Sequence, residues 1–258
     1  MGISYSTARY LAPASFLYDF AAQQYGLFSK PNMQDIHDQN LSFWSPRPEF
    51  IGAFFFPQQF IQLYWLYKLY RAEGSKEDIQ EMTSYAPFYA LGNICIGTWM
   101  FFWNSNRLDI SNIFVCVNSF AQLYYLATSL KPMRTNSTPS ILTHIVAKTF
   151  AGIGVLDFLH NTAAGYFVGQ SPSLAVKVLT GVGFAGLAGT SDWIFGGCLV
   201  YDLIALTVGQ RELNKDWSNL LGAYAVGTAA IVGLRNWARP PYVKDSADYL
   251  PVTQQDAN

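Results

Sequence analysis

Five apolar segments, each about as long as a helix that crosses a bilayer, dominate this sequence. They cover residues 49–70, 85–104, 110–130, 141–168 and 217–237. A hydrocarbon core about 30 Å thick takes roughly 20 residues of α-helix, so segments of this length predict membrane-spanning helices. Charged residues make up only 13% of the chain, about half the share in an ordinary soluble domain, which is too few to cover a water-facing surface.

Two further stretches are less regular. Residues 173–209 are apolar but too long for one span, and a polar step between Gly189 and Asp192 interrupts them, which predicts two short helices joined by a tight turn. Residues 9–28 contain a proline and three polar side chains, so this segment either spans or lies in the interface. The sequence therefore predicts an all-α, polytopic transmembrane bundle with seven or eight spans. Residues 1–238 form this single bundle, and residues 239–258 form a polar tail.

The basic residues predict the orientation of the bundle. If residues 9–28 cross, nine lysines and arginines fall on one side and five on the other. Cytoplasmic loops carry the excess of positive charge, so the first side is predicted to be cytosolic. This places the tail in the cytosol, and we expect an integral protein of the endoplasmic reticulum membrane.

Composition also excludes several kinds of site. A net charge of -1 leaves no basic field that would attract nucleic acid. The cysteines and histidines have no metal-ligand or disulfide spacing; they are Cys95, Cys116, Cys198, His37, His144 and His160. We expect the cysteines to be small buried hydrophobes and the histidines to lie in different environments. No metal and no cofactor are predicted, and nothing in the sequence specifies an oligomeric state.

Asp157 is the most informative ionisable residue, because it lies deep in the segment 141–168 between apolar neighbours. Placing a charged group inside a span costs about 2.5–3.5 kcal/mol, so we expect such a group to have a partner or a function. His160 and Asn161 follow at positions i+3 and i+4, on the same helical face. A carboxyl group sheltered from water tends to stay protonated, as a general acid must. The alternative is an ion pair that only joins helices. Lys148 and Lys177 are expected to pair with acids or to reach the interface, without a catalytic role.

Three other acids have interpretations of their own. Asp202 shares a helical stripe with Phe195 and Cys198, which makes it a second candidate proton donor. Asp192 follows the Gly-Thr-Ser step and is typical of a helix N-cap, although it too lies beside aromatic residues. Glu49 opens the segment 49–70, where it either stabilises the positive end of the helix or serves as a catalytic base.

Aromatic residues reach 16% of the chain, and polar side chains occur among them. Gln58 and Gln62 are one helical turn apart, and both should face the interior, since lipid would leave their amides unpaired. A polar, aromatic-lined cavity for a lipophilic small molecule is the expected result. The predicted substrate-binding residues are Gln58, Gln62, Trp65, Trp99, Trp103, Phe158, Trp193 and Tyr201.

Part of the chain resembles the tryptophan-rich sensory (translocator) proteins. The resemblance rests on residues 44–55, WSPRPEFIGAFF, and on Asn93 followed by Trp99, Phe101 and Phe102. Those proteins have five helices, and this chain has two or three predicted spans more. The resemblance implies a non-enzymatic sensor or carrier that binds a sterol-like or porphyrin-like ligand.

The whole-chain plan is similar to the small fungal integral-membrane terpene cyclases of meroterpenoid biosynthesis, of the ascofuranone and macrophorin type. The similarity lies in the length, the number of predicted spans, the lack of a diphosphate motif, and acids embedded among aromatics: Glu49, Asp157 and Asp202. It implies an isomerase of secondary metabolism that closes a prenylated, possibly epoxidised substrate through carbocations. Asp157 or Asp202 would then donate the proton, and Glu49 would serve as the base.

Overall fold

The computed structural model describes residues 3–238, and within them the regular structure is entirely helical. The helices are α1 Tyr5–Phe28, α2 Met33–Gln39, α3 Pro48–Arg71, α4 Lys76–Asn104, α5 Leu108–Thr128, α6 Thr138–Tyr166, α7 Leu174–Thr190, α8 Trp193–Gly209 and α9 Lys215–Ala238. The predicted all-α class is confirmed. The predicted tail, 239–258, lies outside the described residues.

Every apolar segment of the sequence is a helix, and residues 173–209 divide into α7 and α8 at the predicted step. Three of the described helices, α5, α6 and α9, are long and apolar enough to cross a membrane. That is fewer than the predicted seven or eight spans. The apolar helices α7 and α8 have only 17 residues each, and prolines and polar side chains lower the hydropathy of α1, α3 and α4.

The short helix α2 has no counterpart among the apolar segments, because its residues are mostly polar. A capping box starts it: the Asn32 side chain accepts from the backbone N–H groups of Gln34 and Asp35, each at 2.9 Å. The Asp35 carboxylate accepts from the Asn32 N–H, also at 2.9 Å. The indole N–H of Trp103 in α4 donates to the Met33 carbonyl at 3.0 Å and so joins the first turn of α2 to α4.

Helix α6 is the centre of the bundle. In its apolar window 72% of the residues are buried, against 39% in α5 and 33% in α9. It packs against α3, α4, α5 and α8. Large apolar side chains are exposed on the outside of the bundle, including Phe28, Phe120, Leu174, Val226 and Trp237.

Helices α1 and α3 are joined where α1 begins and α3 ends. There the Tyr5 hydroxyl donates to the Leu69 carbonyl at 3.0 Å, and the rings of Tyr10 and Tyr70 pack edge to face with centroids 6.3 Å apart. Farther along, α1 packs on α4, and the facing residues of α1 and α3 line a cavity between them. The two helices thus form a wedge that is closed at the Tyr5 end.

Buried charges join α4, α6 and α8 at the end of the bundle where α6 begins. Arg134 pairs with Asp78 at 2.5 Å and with Glu81 at 2.9 Å, and Lys148 pairs with Asp192. Asp192 also accepts two backbone N–H groups of the first turn of α8, at 3.1 and 3.0 Å. The predicted N-cap at Asp192 and the pairing of Lys148 with an acid are both confirmed.

Replacing Lys148 by Met would leave the Asp192 carboxylate buried without its cation. We expect the free energy of unfolding to fall by about 3–5 kcal/mol, as when one partner of a buried ion pair is removed. Asp192→Asn should also destabilise the protein, although Asn caps a helix as well as Asp does. Thermal unfolding in detergent measures both losses.

The matched control is Lys177→Met on α7, where the side chain is half-buried. We expect this surface substitution to change stability by no more than about 0.5 kcal/mol. Equal losses for Lys148→Met and Lys177→Met would contradict the assignment of the stability to the buried ion pair.

Candidate functional site

A cavity of about 700 Å³ lies inside the bundle, between α1, α3, α4, α5 and α6, with α2 closing one end. We call it the inner cavity. The aromatic part of its wall consists of Phe16, Phe20, Phe55, Phe56, Trp99, Trp103 and Phe150. Its volume falls within the range of about 300–1,000 Å³ that small-molecule sites occupy. The predicted aromatic-lined cavity is therefore present.

Asp157 lies on the wall of the inner cavity and is half-buried. Within residues 3–238 no side chain donates a hydrogen bond to its carboxyl group, and no cation pairs with it. Its backbone carbonyl accepts from the Asn161 amide at 2.9 Å. The alternative in which Asp157 only forms an interhelical ion pair is therefore wrong for the described part of the chain.

Asn161 fixes the position of an aromatic ring in the cavity wall. Its side-chain oxygen accepts from the Trp99 indole N–H at 2.7 Å and, at 3.5 Å, from the Ser111 hydroxyl. The ring of Trp103 lies beside that of Trp99, with centroids 5.3 Å apart. Both tryptophans line the inner cavity, where the sequence placed them as substrate-binding residues.

Two histidines meet where α2 closes the inner cavity. The Nδ1 atom of His37 lies 3.2 Å from the Nε2 atom of His160, and both side chains are buried. Burial lowers the pKa of His37, which lies outside the long helices, while the carboxylates of Asp38 and Glu49 oppose that shift. The expectation that these histidines lie in different environments is wrong, because α2 folds back against α4 and brings His37 to α6.

The two predicted glutamines both face the interior. Gln62 lines the inner cavity and accepts from the Tyr89 hydroxyl at 2.7 Å. Gln58 is equally buried but donates to the Thr149 hydroxyl at 3.0 Å and lies outside the cavity wall. Gln62 therefore belongs to the cavity wall, whereas Gln58, one helical turn earlier, packs between helices.

The other two predicted acids lie around the inner cavity rather than at its centre. Asp202 is fully buried behind the wall, and within the described chain neither of its carboxyl oxygens has a hydrogen-bond partner. It is close enough to Asp157 for the two carboxyl groups to interact electrostatically. Glu49 lines the rim, where its side chain is 68% exposed and accepts from Arg47 at 2.9 Å.

Besides Gln58, four of the predicted substrate-binding residues lie away from the inner cavity: Trp65, Phe158, Trp193 and Tyr201. Trp65 donates to the Thr143 hydroxyl at 3.0 Å within the core. Tyr201 donates to the Phe50 carbonyl at 2.7 Å, and Phe158 packs against the exposed ring of Phe120. Trp193 is 49% exposed. A hydropathy pattern identifies the segment but does not select which of its faces meets the cavity.

Several polar residues of the cavity wall had no role in the sequence-based prediction. Asp19, His37 and Asn118 are among them. Asp19 accepts from the Gln23 amide one turn later at 3.0 Å. The sequence does give a signal for Asp19: a carboxyl group in a predicted span is costly on a lipid-facing surface, so it is expected to face the interior.

The bond between Asn161 and Trp99 can be tested with Asn161→Leu, which keeps the side-chain shape. We expect a loss of about 1–3 kcal/mol in the free energy of unfolding, since the indole N–H is left without its acceptor. A double-mutant cycle with Trp99→Phe, measured by unfolding in mixed micelles, isolates the bond. Trp237→Phe, at a side chain that is 89% exposed, is the control. Additive effects of the two substitutions, within about 0.5 kcal/mol, would contradict the coupling.

No family model matches the chain, and no curated protein or solved structure matches it either. The two resemblances described above therefore rest on the quoted residues and on the helical plan. The chemistry of this chain has to be inferred from the inner cavity itself, whose distinguishing feature is a carboxyl group without a partner in an aromatic wall.

Proposed function

We propose that this chain is a membrane-embedded cyclase of secondary metabolism, which closes rings in a prenylated, lipophilic substrate. The observation that carries the proposal is the position of Asp157 on the wall of an aromatic-lined cavity, with no hydrogen-bond or ion-pair partner among the described residues. A group that served only to hold helices together would be paired, as Lys148 and Asp192 are.

The proposed reaction begins with proton transfer from Asp157 to the terminal alkene or epoxide of the substrate. A carboxyl group without a partner and away from water is most stable as the neutral acid, so it has a proton to give. The resulting carbocation is attacked by the π electrons of the next alkene, which forms a carbon–carbon bond and moves the charge along the chain. Loss of a proton from carbon ends the series, so the product is an isomer of the substrate.

The wall of the inner cavity suits a cationic intermediate. The rings of Trp99, Trp103 and Phe55 present π faces or edges to the space beside Asp157, and a cation over such a ring is stabilised by about 0.5–2 kcal/mol. Exclusion of water protects the cation from early capture. These rings therefore favour cyclisation over the addition of water.

The other acids take supporting roles in this proposal. Asp202 is fully buried and interacts electrostatically with Asp157, and carboxyl groups that interact resist carrying two negative charges, which favours a proton on one of them. Glu49 on the rim, or a water held by a glutamine such as Gln62, accepts the proton that leaves the product. No metal or cofactor has a part in the proposed reaction.

We also propose that all eight long helices cross the bilayer of the endoplasmic reticulum, with the C-terminus in the cytosol. Helices of 17 residues, such as α7 and α8, are about 25 Å long, which is close to the hydrocarbon thickness. The substrate would enter sideways from the lipid through the wedge between α1 and α3, where the rings of Phe20 and Phe56 are exposed.

The proposal is tested by supplying a prenylated phenol, or its terminal epoxide, to cells or membranes that contain the protein. We expect wild type to form a cyclised isomer and Asp157→Asn to lose at least about 100-fold in rate, as general acids typically contribute 10²–10⁴. Asp202→Asn should slow the reaction as well. The control is Asp109→Asn at the start of α5, where the carboxylate is exposed and pairs with Arg107.

The cyclised isomer is separated from substrate of the same mass by liquid chromatography and identified by NMR, and substrate binding is measured by quenching of tryptophan fluorescence. Unchanged product from both Asp157→Asn and Asp202→Asn would remove the proposed catalytic role of these acids. Wild-type protein that binds the substrate tightly but forms no product would favour the alternative, a carrier or sensor that uses the same cavity.

A further inference from the structure

A second pocket, of about 350 Å³, lies at the end of the bundle next to α2. We call it the outer pocket. Its charged residues are Asp38, Arg47, Arg211 and Glu212. Arg211 and Glu212 belong to the connection that follows α8. Arg47, Arg211 and Glu212 are exposed, so the outer pocket is polar and accessible to water.

His37 connects the outer pocket with the inner cavity. Of the titratable side chains in the described chain, it is the one that lines both. Its Nδ1 atom lies 3.2 Å from the Nε2 atom of His160, which lines the inner cavity one helical turn after Asp157. Two buried imidazoles therefore lie in series between water and the unpaired acid of the proposed site.

The contact between the two imidazole rings uses one nitrogen of each, so each ring keeps its second nitrogen for another partner. His37 keeps its Nε2 atom and His160 its Nδ1 atom, which is buried and has no hydrogen-bond partner in residues 3–238. A neutral imidazole has a donor at one nitrogen and an acceptor at the other. A proton that arrives at one nitrogen can therefore release the proton from the other. Each transfer leaves both rings in the opposite tautomer, so the rings must turn over before the next proton crosses.

We propose that His37 and His160 form a relay that carries protons from water in the outer pocket to Asp157. A proton binds Nε2 of His37, the proton on Nδ1 passes to Nε2 of His160, and the proton on Nδ1 of His160 passes on toward Asp157, which lies one helical turn earlier in α6. The Asp157 carboxylate takes it up, and no other atom is exchanged. The relay rests on the proposed function, in which each cyclisation leaves Asp157 without its proton.

The charged neighbours suit a transient cation at the outer ring. Asp38 of α2 and Glu49 of α3 are the carboxylates that act on His37, and Arg47, which pairs with Glu49 at 2.9 Å, partly offsets the second of them. On the inner side, the indole ring of Trp103 packs against His160 with centroids 5.5 Å apart. A cation on His160 would be stabilised by that ring.

The first test compares His37→Ala with His37→Phe in the full-length protein. Both variants remove the outer imidazole, and we expect turnover of the prenylated substrate to fall at least about tenfold, toward the lower end of acid–base effects. Free imidazole is small enough to enter the space vacated in His37→Ala and should restore turnover there. His37→Phe keeps a ring in that space, so imidazole should not restore its turnover.

The second test needs no substrate. After transfer of the protein into D2O, the infrared C=O stretch of the Asp157 acid reports the exchange of its proton, and Asp157→Asn identifies the band. We expect exchange to be at least about tenfold slower in His37→Phe than in wild type. A merely structural role of His37 would lower stability and leave this exchange rate unchanged or faster.

The outcomes separate the relay from the proposed cyclase activity. Slowed exchange in His37→Phe, together with a wild-type protein that turns over no prenylated substrate, would support the relay and overturn the cyclase. Unchanged exchange in His37→Phe would overturn the relay, whatever its effect on turnover. Failure of imidazole to restore His37→Ala, with normal exchange in both variants, would reduce His37 to a packing residue.

Discussion

The exclusion of water from the bundle is the constraint on which the rest of this structure depends. A polar group that loses water must find a partner in the protein or cost several kcal/mol. Most buried polar side chains have found one, as the Trp99 N–H has in Asn161 and the Tyr89 hydroxyl in Gln62. Within residues 3–238 some buried polar atoms lack a partner, and Asp202 is the carboxyl group among them; Asp157, half-buried on the cavity wall, also has no side-chain partner there, and the proposed function gives both acids a reason.

Helix α6 carries two polar regions at different levels along its length. Its beginning holds Lys148, whose pairing with Asp192 joins α6 to α8. Its last three turns hold Asp157, His160 and Asn161, which face the inner cavity. Stability and the proposed chemistry are therefore separated along one rigid helix, so the charges of one region do not neutralise the acid of the other.

The sequence was sufficient for properties that a single helix determines. Segment length and hydropathy predicted the long helices, and the Gly-Thr-Ser-Asp step predicted the cap at Asp192. The cost of an amide in lipid correctly placed Gln58 and Gln62 in the interior. Trp99 and Trp103 also lie on the wall where they were expected.

Properties that depend on how helices face each other could not be obtained in this way. His37 and His160 are 123 residues apart in the chain, and the polar helix that brings them together has no hydropathy signal. Trp65 and Tyr201 satisfy their polar atoms elsewhere in the packing. In a helix that is apolar on all sides, periodicity does not distinguish the face toward a cavity from the face toward lipid.

The wedge between α1 and α3 means that the inner cavity has no fixed length in one direction. These helices are joined near Tyr5 and Tyr70, so in the proposed function a substrate longer than the cavity would leave its far end among the acyl chains of the bilayer. The walls then select for the width and chemistry of the part that reaches Asp157. Molecules with the same head and tails of different length would be accepted alike.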